Sequence, residues 1–474
     1  MRASLYIVLI LAKFSLLSQD LREQFDNLKK QQEASYKKFQ VQSDSVFAQF
    51  ILDSWHEVKM SSFLANPEEK ETKPEMAPVF DGKEPSQKSW ENLEVDTIVY
   101  LEVDRAEQLE SPAYYPELSE AKLNYWGADV KVRYPVDLSK IKLRGEGKNL
   151  LSDYWLKASK TGYQVLLEDL ITTKDTYNLP DYAFYLMVKS FVEKSGVDKR
   201  DQILQTWFLM SKASYACKVG FVQEGPVFLL GAKSKIYGMP YFTEEGVRYY
   251  AMGKIGNQLS TFKNPEKNQK SVDFRVTSSI ELPLNPVSKK LSFKYKNKAH
   301  TVEIYYDVNV MNLLAEFPST DLSNHLHSSA CLLLKKSLHR EFDPLLEGMS
   351  QVDKVRLLLA FIQSMPYKTD QDQFEEERIF YPDEFFAYEY SDCDDRTVFL
   401  AYLIKEFVGL DIVSVTFPRH VALAVKLGAS GSGENVEFQG AKYTLCDPTY
   451  FNAPIGAVIP QAEFSEAMIL PIGR

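Results

Sequence analysis

The stretch that decides the fold is YSDCDDRTVFLAYL, residues 390–403, in which a lone cysteine lies among three aspartates just before an apolar run. Ser391 and Asp392 are both suited to cap a helix, and the spacing from Ser391 to Asp394 matches a capping box. Acidic side chains in a first turn also favour the positive end of the helix dipole. The aspartates therefore predict a helix start here before any chemistry is considered.

The predicted helix, 392–408, carries one apolar stripe that begins at the cysteine. The positions that share this stripe at helical spacing are Cys393, Thr397, Leu400, Ala401, Ile404 and Val408. We expect the sulfur at the first turn of the buried face, where helix amides lower the pKa of a thiol and nearby acids raise it. A cation that faces the sulfur decides whether the pKa of the thiol is lowered or raised overall, and a protonated histidine can be that cation.

Strand-like runs follow the helix and place a histidine and an aspartate. The runs are 411–417, 420–427 and 442–447. A period of two puts His420, Ala422 and Ala424 on one face, where the small alanines let a helix approach. The loop GASGSGE predicts a hairpin between the last two runs. Antiparallel pairing across it brings Asp447 beside His420, where the carboxylate can hold the far N–H of the imidazole.

Each of these residues alone has a purely structural interpretation. A cysteine at a helix start is usually a packing residue, and a histidine at a strand start is usually a satisfied surface residue. An aspartate before proline commonly opens a turn. The order Cys393, His420, Asp447 on a helix and two strands is much more specific than any single member.

The segments SDCDDRTVFLAYLIKEF, FPRHVALAV and YTLCDPTY together resemble the transglutaminase-like superfamily of papain-related cysteine enzymes, over about residues 380–455. The resemblance implies Cys393 as nucleophile, His420 as general base and acid, and Asp447 as the carboxylate that orients the imidazole. It implies neither a cofactor nor a metal.

The upstream segment ERIFYPDEFFAYEYSDCDDR is also similar to exported bacterial members of that superfamily. Such enzymes use an upstream side chain for the oxyanion, and both Tyr390 and Gln373 remain open for that role.

An earlier region of the chain can be overlaid on this one. QTWFLMSKASYACKVGFV (205–222) aligns under RTVFLAYLIKEFVGLDIV (396–413), and GVRYYAM aligns under GAKYTLC. The overlay predicts an internal duplication, although any helix followed by strands gives a similar pattern. It places Gln202 at Cys393, Gly225 or Pro226 near His420, and Gly253 at Asp447. The first copy is therefore predicted to be degenerate, without this chemistry.

We predict an α+β protein with a long N-terminal helix and two transglutaminase-like domains, each a helix plus an antiparallel sheet, separated by β-rich segments. The predicted divisions are a signal peptide (1–18), a long amphipathic helix (19–65), a linker (66–92), a small β-region (93–150), the degenerate domain (151–255), a β-rich connecting segment (256–340) and the catalytic domain (341–474).

The N-terminus reads as a secretory signal, with Arg2, an apolar stretch and the small residue Ser18. A buried or membrane-surface helix is the alternative. The signal predicts export to the periplasm or the extracellular space.

Between residues 20 and 60, aromatic and apolar pairs recur every eleven residues and form one helical stripe. The stripe is predicted to pack on the chain itself, on a second copy or on an envelope partner.

The charge of the chain and the spacing of its cysteines and histidines bear on three further possibilities: nucleic-acid binding, metal binding and a disulfide. The net charge is −10 and no basic block stands out, so a nucleic-acid partner is not supported. The 4 cysteines have no CxxC or CxxH spacing, which gives no support for a zinc site. One disulfide can form after export, with its pairing open. His325 and His327 suggest a metal pair on a strand, but no third ligand is evident.

The expected activity is cleavage or transfer of amide bonds in a peptide or protein substrate through a thioester on Cys393, with hydrolysis favoured over cross-linking. The alternative is a non-catalytic envelope scaffold or binding protein in which Cys393, His420 and Asp447 are unused.

Overall fold

The computed structural model describes residues 42–63, 73–91, 93–95, 116–263 and 269–472. In these residues the chain is a mixed α+β fold with two seven-stranded sheets and two separate two-stranded hairpins. The predicted α+β class and its antiparallel sheets are confirmed. The strands are β1 (Trp55–Lys59), β2 (Ser61–Ser62), β3 (Ser89–Trp90), β4 (Glu94–Val95), β5 (Leu118–Tyr125), β6 (Ala128–Pro135), β7 (Cys217–Val222), β8 (Gly225–Ala232), β9 (Pro240–Glu244), β10 (Val247–Ala251), β11 (Gln258–Phe262), β12 (Pro286–Tyr295), β13 (Lys298–Asp307), β14 (Ile412–Phe417), β15 (His420–Val425), β16 (Asn435–Phe438), β17 (Ala441–Cys446) and β18 (Met468–Ile472).

Helices occupy the segments between the strand groups. They are α1 (42–53), α2 (Val136–Ser139), α3 (Gly147–Ala158), α4 (Gln164–Thr176), α5 (Asp181–Lys194), α6 (Lys199–Lys212), α7 (Val308–Leu314), α8 (Leu322–Leu326), α9 (Leu332–Leu346), α10 (Gln351–Gln363), α11 (Asp370–Phe374) and α12 (Cys393–Phe407). No helix in the described ranges is both long and apolar enough to cross a bilayer.

The first sheet has the strand order β1-β11-β7-β8-β10-β9-β2, and every neighbouring pair in it is antiparallel. Helix α6 precedes β7 and packs on the sheet, where the fully buried Trp207 ring lies 5.9 Å from the Phe262 ring of β11. Helix α5 lies beside α6, so that helices cover this face of the first sheet.

The second sheet has the order β4-β18-β14-β15-β17-β16-β3. Its five central strands are antiparallel, and the short edge strands β3 and β4 pair in parallel. The predicted pairing of β15 with β17 is confirmed. The simple hairpin between them is wrong, because β16 lies within the connection and pairs on the far side of β17. A strand of only four residues was too short to stand out in that Gly/Ser-rich loop.

The long helix predicted over 19–65 is shorter at its C-terminal end. Helix α1 ends at residue 53, and β1 follows at once because its residues pair along β11. The Phe47 ring lies 4.3 Å from the Trp155 ring, so this part of the stripe packs on the chain itself. Residues 1–41, with the predicted signal peptide and the rest of the stripe, lie outside the described residues.

Part of the predicted linker 66–92 is instead an ordered arm, which we define as residues 73–91. Its strand β3 pairs with β16, and the Trp90 ring stacks on Phe464 at 4.2 Å. Proline and charge content correctly indicate that the arm has no core of its own. Its backbone hydrogen bonds come from the second sheet, which composition does not reveal.

Two other predicted β segments turn out differently. In the predicted β-rich segment 256–340, residues 272–282 form no regular strand, although Phe274 and Val276 are buried. In the small β-region the hairpin β5–β6 is present, whereas the run at 96–103 lies outside the described residues.

Candidate active site

The N-terminus of α12 is capped by its own aspartates. Asp392 is the N-cap, and its Oδ1 accepts a hydrogen bond from the Asp394 N–H at 3.1 Å. The Asp395 carboxylate accepts from the Asp392 N–H at 3.1 Å and from the Phe380 N–H at 2.8 Å. The capping box therefore runs from Asp392 to Asp395 and not from Ser391 to Asp394. The prediction that acids begin this helix is confirmed with the register moved by one residue.

Cys393 is the first residue of α12, and its side chain is 0% exposed. Its thiol donates to the Asp394 Oδ1 at 3.5 Å. Burial raises the pKa of this thiol well above its ordinary value, and the charges of Asp394 and Asp392 raise it further. A hydrogen bond from the Val421 backbone lowers it, as does the nearby Lys73 ammonium. In the closed site the sulfur is therefore a neutral thiol.

His420 and Asp447 form the predicted pair. The imidazole Nε2 donates to the Asp447 Oδ2 at 2.8 Å, and the two side chains are 2% and 0% exposed. With the proton held on Nε2, Nδ1 is the basic atom. Nδ1 is buried and has no hydrogen-bond partner in the part of the chain that the structure describes.

The Asp447 carboxylate is itself fixed by backbone amides. Oδ1 accepts from the N–H groups of Thr449 and Tyr450, at 2.9 and 3.2 Å, and Oδ2 accepts from Ile459 at 3.0 Å. The Gln363 side chain donates to the Asp447 carbonyl at 3.0 Å. Because these bonds hold the carboxylate in place, it can set the orientation and tautomer of His420.

The helix and the strand meet beside His420. The Thr397 hydroxyl donates to the Val421 carbonyl at 3.0 Å, and the Cys393 sulfur accepts from the Val421 backbone. The thiol thus lies at the residue after His420. No hydrogen bond joins the Cys393 sulfur to the imidazole among the described residues.

The predicted contact of α12 with the alanine face of β15 is wrong. Ala422 and Ala424 pack in an apolar cluster with Val413 on the other face of the sheet. The helix shares its core with Leu423 and Val425. The period of two correctly separates these faces, but it does not say which one the helix covers.

Lys73 is the cation that the sequence did not identify. Its ammonium lies 2.8 Å from the Glu377 Oε2, 2.7 Å from the Asp392 Oδ2 and 3.1 Å from the Asp394 Oδ2. The cysteine and its two flanking aspartates have spacing that suits metal ligands, as do Asp370, Glu377 and Asp392. The two sets share Asp392, whose Oδ2 already binds the Lys73 ammonium. No local signal marks Lys73, because more than 300 residues separate it from its partners.

The structure also changes the candidates for the oxyanion donor. No hydrogen bond joins Tyr390 or Gln373 to Cys393 in the described ranges, and the Tyr390 hydroxyl pairs with Glu389. The Tyr367 hydroxyl is buried and has no partner among the described residues. Burial raises the pKa of this hydroxyl, and the charge of an ionised Cys393 raises it further. Sequence reasoning missed Tyr367, since an isolated tyrosine between helices carries no motif.

The two histidines suggested as a metal pair are structural. His325 lies in α8, buried against the Tyr381 ring at 4.2 Å, and His327 follows the end of that helix. The His327 Nδ1 bonds to the Ser323 carbonyl at 2.6 Å. The predicted strand at this position is therefore wrong. All four cysteines are buried free thiols.

Compared with family models, with curated proteins and with solved structures, the chain matches none.

Proposed function

We propose that the protein is a cysteine enzyme of the transglutaminase-like type that cleaves amide bonds of peptides or proteins. The observation that carries the proposal is the 2.8 Å hydrogen bond from His420 to Asp447, on a strand whose next residue, Val421, accepts a hydrogen bond from the helix that begins with Cys393. The unpartnered Nδ1 of the same imidazole supplies the base that this chemistry requires. Export of the chain belongs to the same proposal and rests on the signal-like N-terminus.

In the proposed reaction, the His420 Nδ1 takes the proton of the Cys393 thiol, and the thiolate attacks the amide carbonyl carbon. The Cys393 N–H, which has no acceptor within the helix, and the Tyr367 hydroxyl stabilise the oxyanion. The imidazolium then gives its proton to the leaving amine as the C–N bond breaks, leaving a thioester. Water deprotonated by His420 attacks the thioester, releasing a carboxylic acid and restoring the thiol. An amine in place of water gives a new amide, which is the transferase outcome.

The complete burial of Cys393 favours a second candidate, a non-catalytic scaffold or binding protein that retains the three residues. In that case Cys393 is a packing residue and His420 does not affect its reactivity. The two candidates make opposite predictions about the sulfur.

The test is iodoacetamide alkylation of Cys393 in the full chain, mapped by mass spectrometry from pH 5 to 9. We expect His420→Gln, which retains an N–H donor toward Asp447 but is not a base, to reduce the rate at pH 7 by at least about 10-fold. Cleavage of fluorescent casein should fall by about 10²–10⁴-fold in the same variant. Incorporation of dansylcadaverine separates transfer from hydrolysis.

Cys446 is the internal control, because it is as buried as Cys393 and lies in β17. Labelling of Cys446 in the variant means that the fold has opened. If the Cys393 rate and its pH profile are unchanged in folded His420→Gln, the enzyme proposal is wrong and the scaffold remains.

A further inference from the structure

The carboxylates around Lys73 hold one ammonium in a tripod, which we call the carboxylate cage: Glu377, Asp392 and Asp394. Each residue offers one oxygen within 3.1 Å of the same nitrogen, and Lys73 is 8% exposed. A primary ammonium has three N–H donors, so three acceptors around one nitrogen satisfy it. The planar fork of an arginine does not fit this arrangement.

The cage oxygens are not those that hold the helix together. Asp392 caps α12 with Oδ1 and binds Lys73 with Oδ2. Asp394 receives the Cys393 thiol on Oδ1 and binds Lys73 with Oδ2. The ammonium therefore binds carboxylate oxygens that are not used to cap the helix or to accept the thiol.

Beyond Lys73 the arm reaches the opposite side of the catalytic residues. The Phe451 N–H donates to the Pro78 carbonyl at 2.9 Å, and the Phe80 N–H donates to the Phe451 carbonyl at 3.0 Å. The Phe80 ring contacts Tyr450 at 5.5 Å, in the loop that follows Asp447. The arm is thus anchored beside Cys393 at one end and beside Asp447 at the other, as an extended peptide.

We propose that the carboxylate cage is a subsite for the lysine side chain of an extended peptide, and that residues 73–80 of this chain occupy it in cis. The inference deepens the proposed function and rests on it, because the cage adjoins the proposed nucleophile. Glu377, its least buried member, also lines a cavity of about 370 Å³ with Tyr237 and Arg378. A lysine-bearing peptide in trans competes with the arm for this subsite.

The test compares Lys73→Met with Lys83→Met in the full chain, using the rate of Cys393 alkylation. Lys83 lies on the same arm and pairs with the exposed Asp81, so its loss leaves the cage intact. Loss of the Lys73 ammonium raises the pKa of the Cys393 thiol, which slows alkylation, but three carboxylates without a cation no longer retain the arm, and we expect the gain in access to the sulfur to be the larger effect. Lys73→Met should therefore label at Cys393 at least about 10-fold faster than wild type. Lys83→Met should label as wild type does.

A synthetic peptide of residues 73–91 should restore protection of Cys393 in Lys73→Met, and the same peptide carrying Lys73→Met should not. Equal protection by both peptides overturns the ammonium subsite, and an unchanged rate in Lys73→Met overturns the cis occupancy. If Lys73→Met also makes Cys217, Cys331 and Cys446 accessible to alkylation, its fold has opened, and Lys73→Arg is tested in its place. That variant retains the charge but not the tripod, and an unchanged Cys393 rate in it overturns the proposal.

Casein cleavage separates this inference from the proposed function. Faster alkylation and selective peptide protection without cleavage support the subsite and refute the amide hydrolase. Cleavage at the same rate by wild type and Lys73→Met supports the hydrolase and refutes the subsite.

Discussion

The two seven-stranded sheets share one arrangement of five strands and differ in what they carry at one end. The central order is β11-β7-β8-β10-β9 in the first sheet and β18-β14-β15-β17-β16 in the second. In each sheet, a helix precedes a first hairpin (β7–β8 or β14–β15), which has a two-residue turn. The second hairpin (β9–β10 or β16–β17) also has a two-residue turn, in which both residues have positive φ. These shared features support the predicted internal duplication.

The register of the central strand pair is also shared. Leu230, the sixth residue of β8, pairs with Tyr250, four residues after Gly246. Val425, the sixth residue of β15, pairs with Thr444, four residues after Gly440. Counting by this register, the first-sheet positions that match His420 and Asp447 are Gly225 and Gly253.

The comparison indicates that the five-strand arrangement forms without residues equivalent to His420 and Asp447. The first sheet forms the same five strands with glycine where the second has an imidazole and a carboxylate. The five-strand arrangement therefore does not by itself require a histidine and an aspartate at these positions, so a role in chemistry is one explanation for both, beside the structural hydrogen bonds of Asp447. At the helix the overlay is out by three residues, because α6 begins at Lys199 and Gln202 is its fourth residue.

The largest expected contrast is between Asp447→Ala and Gly253→Ala. The first leaves three buried backbone N–H groups and an imidazole without their acceptor, so we expect the unfolding free energy to fall by about 3–5 kcal/mol. The second adds a Cβ with nothing within 4 Å, and should change it by less than about 0.5 kcal/mol. Urea unfolding measures both. Equal losses would mean that the carboxylate is no more structural than its glycine counterpart.

The second contrast is in pH dependence, between Asp383 near the second sheet and Asp181 near the first. Burial raises the pKa of Asp383 to about 6, above about 4 for the unfolded chain. Its contribution to stability is complete below pH 4 and is lost as the pH rises through 6. Between pH 4 and 7, the free energy of unfolding of Asp383→Asn should therefore rise relative to that of wild type, by up to about 3 kcal/mol.

Asp181 should behave in the opposite way. Burial alone raises its pKa, but the ammonium groups of Lys174 and Lys270 outweigh burial and hold the pKa below its ordinary value. Its contribution is present above pH 4 and is lost as the pH falls below that. Asp181→Asn should be about 2 kcal/mol less stable than wild type at pH 7, with a smaller deficit at pH 3. Denaturant unfolding at each pH checks both variants, and slopes of the same sign would contradict the contrast.

The smallest effect tests whether the two sheets are equivalent where they are most alike. The turns Glu245–Gly246 and Gln439–Gly440 both have positive φ at both residues, with exposed side chains. Asparagine fits the first position of such a turn better than glutamate or glutamine. Glu245→Asn and Gln439→Asn should each raise stability by about 0.5 kcal/mol, measured as midpoint shifts in urea. A gain in only one would show that the hairpins are under different constraints.

Local patterns predicted most of what lies along the chain near the site. The aspartates mark the start of α12, and the period of two places His420 and Asp447 on one face, where the structure joins them at 2.8 Å. Helix caps and strand alternation depend on neighbours within a few residues, so they can be read from the sequence. The capping register, the strand β16 and the face that α12 covers could not be read, because each depends on packing partners elsewhere.

By itself the sequence determined the α+β class, the helix that begins at Cys393, and the pairing that joins His420 to Asp447. Only the tertiary structure decided that Lys73 binds Glu377, Asp392 and Asp394, and that the arm is also hydrogen-bonded to Phe451 in the loop after Asp447. The physical reason is that charge and hydrogen-bond contacts between segments hundreds of residues apart leave no periodicity in the sequence. They exist only once both surfaces have formed.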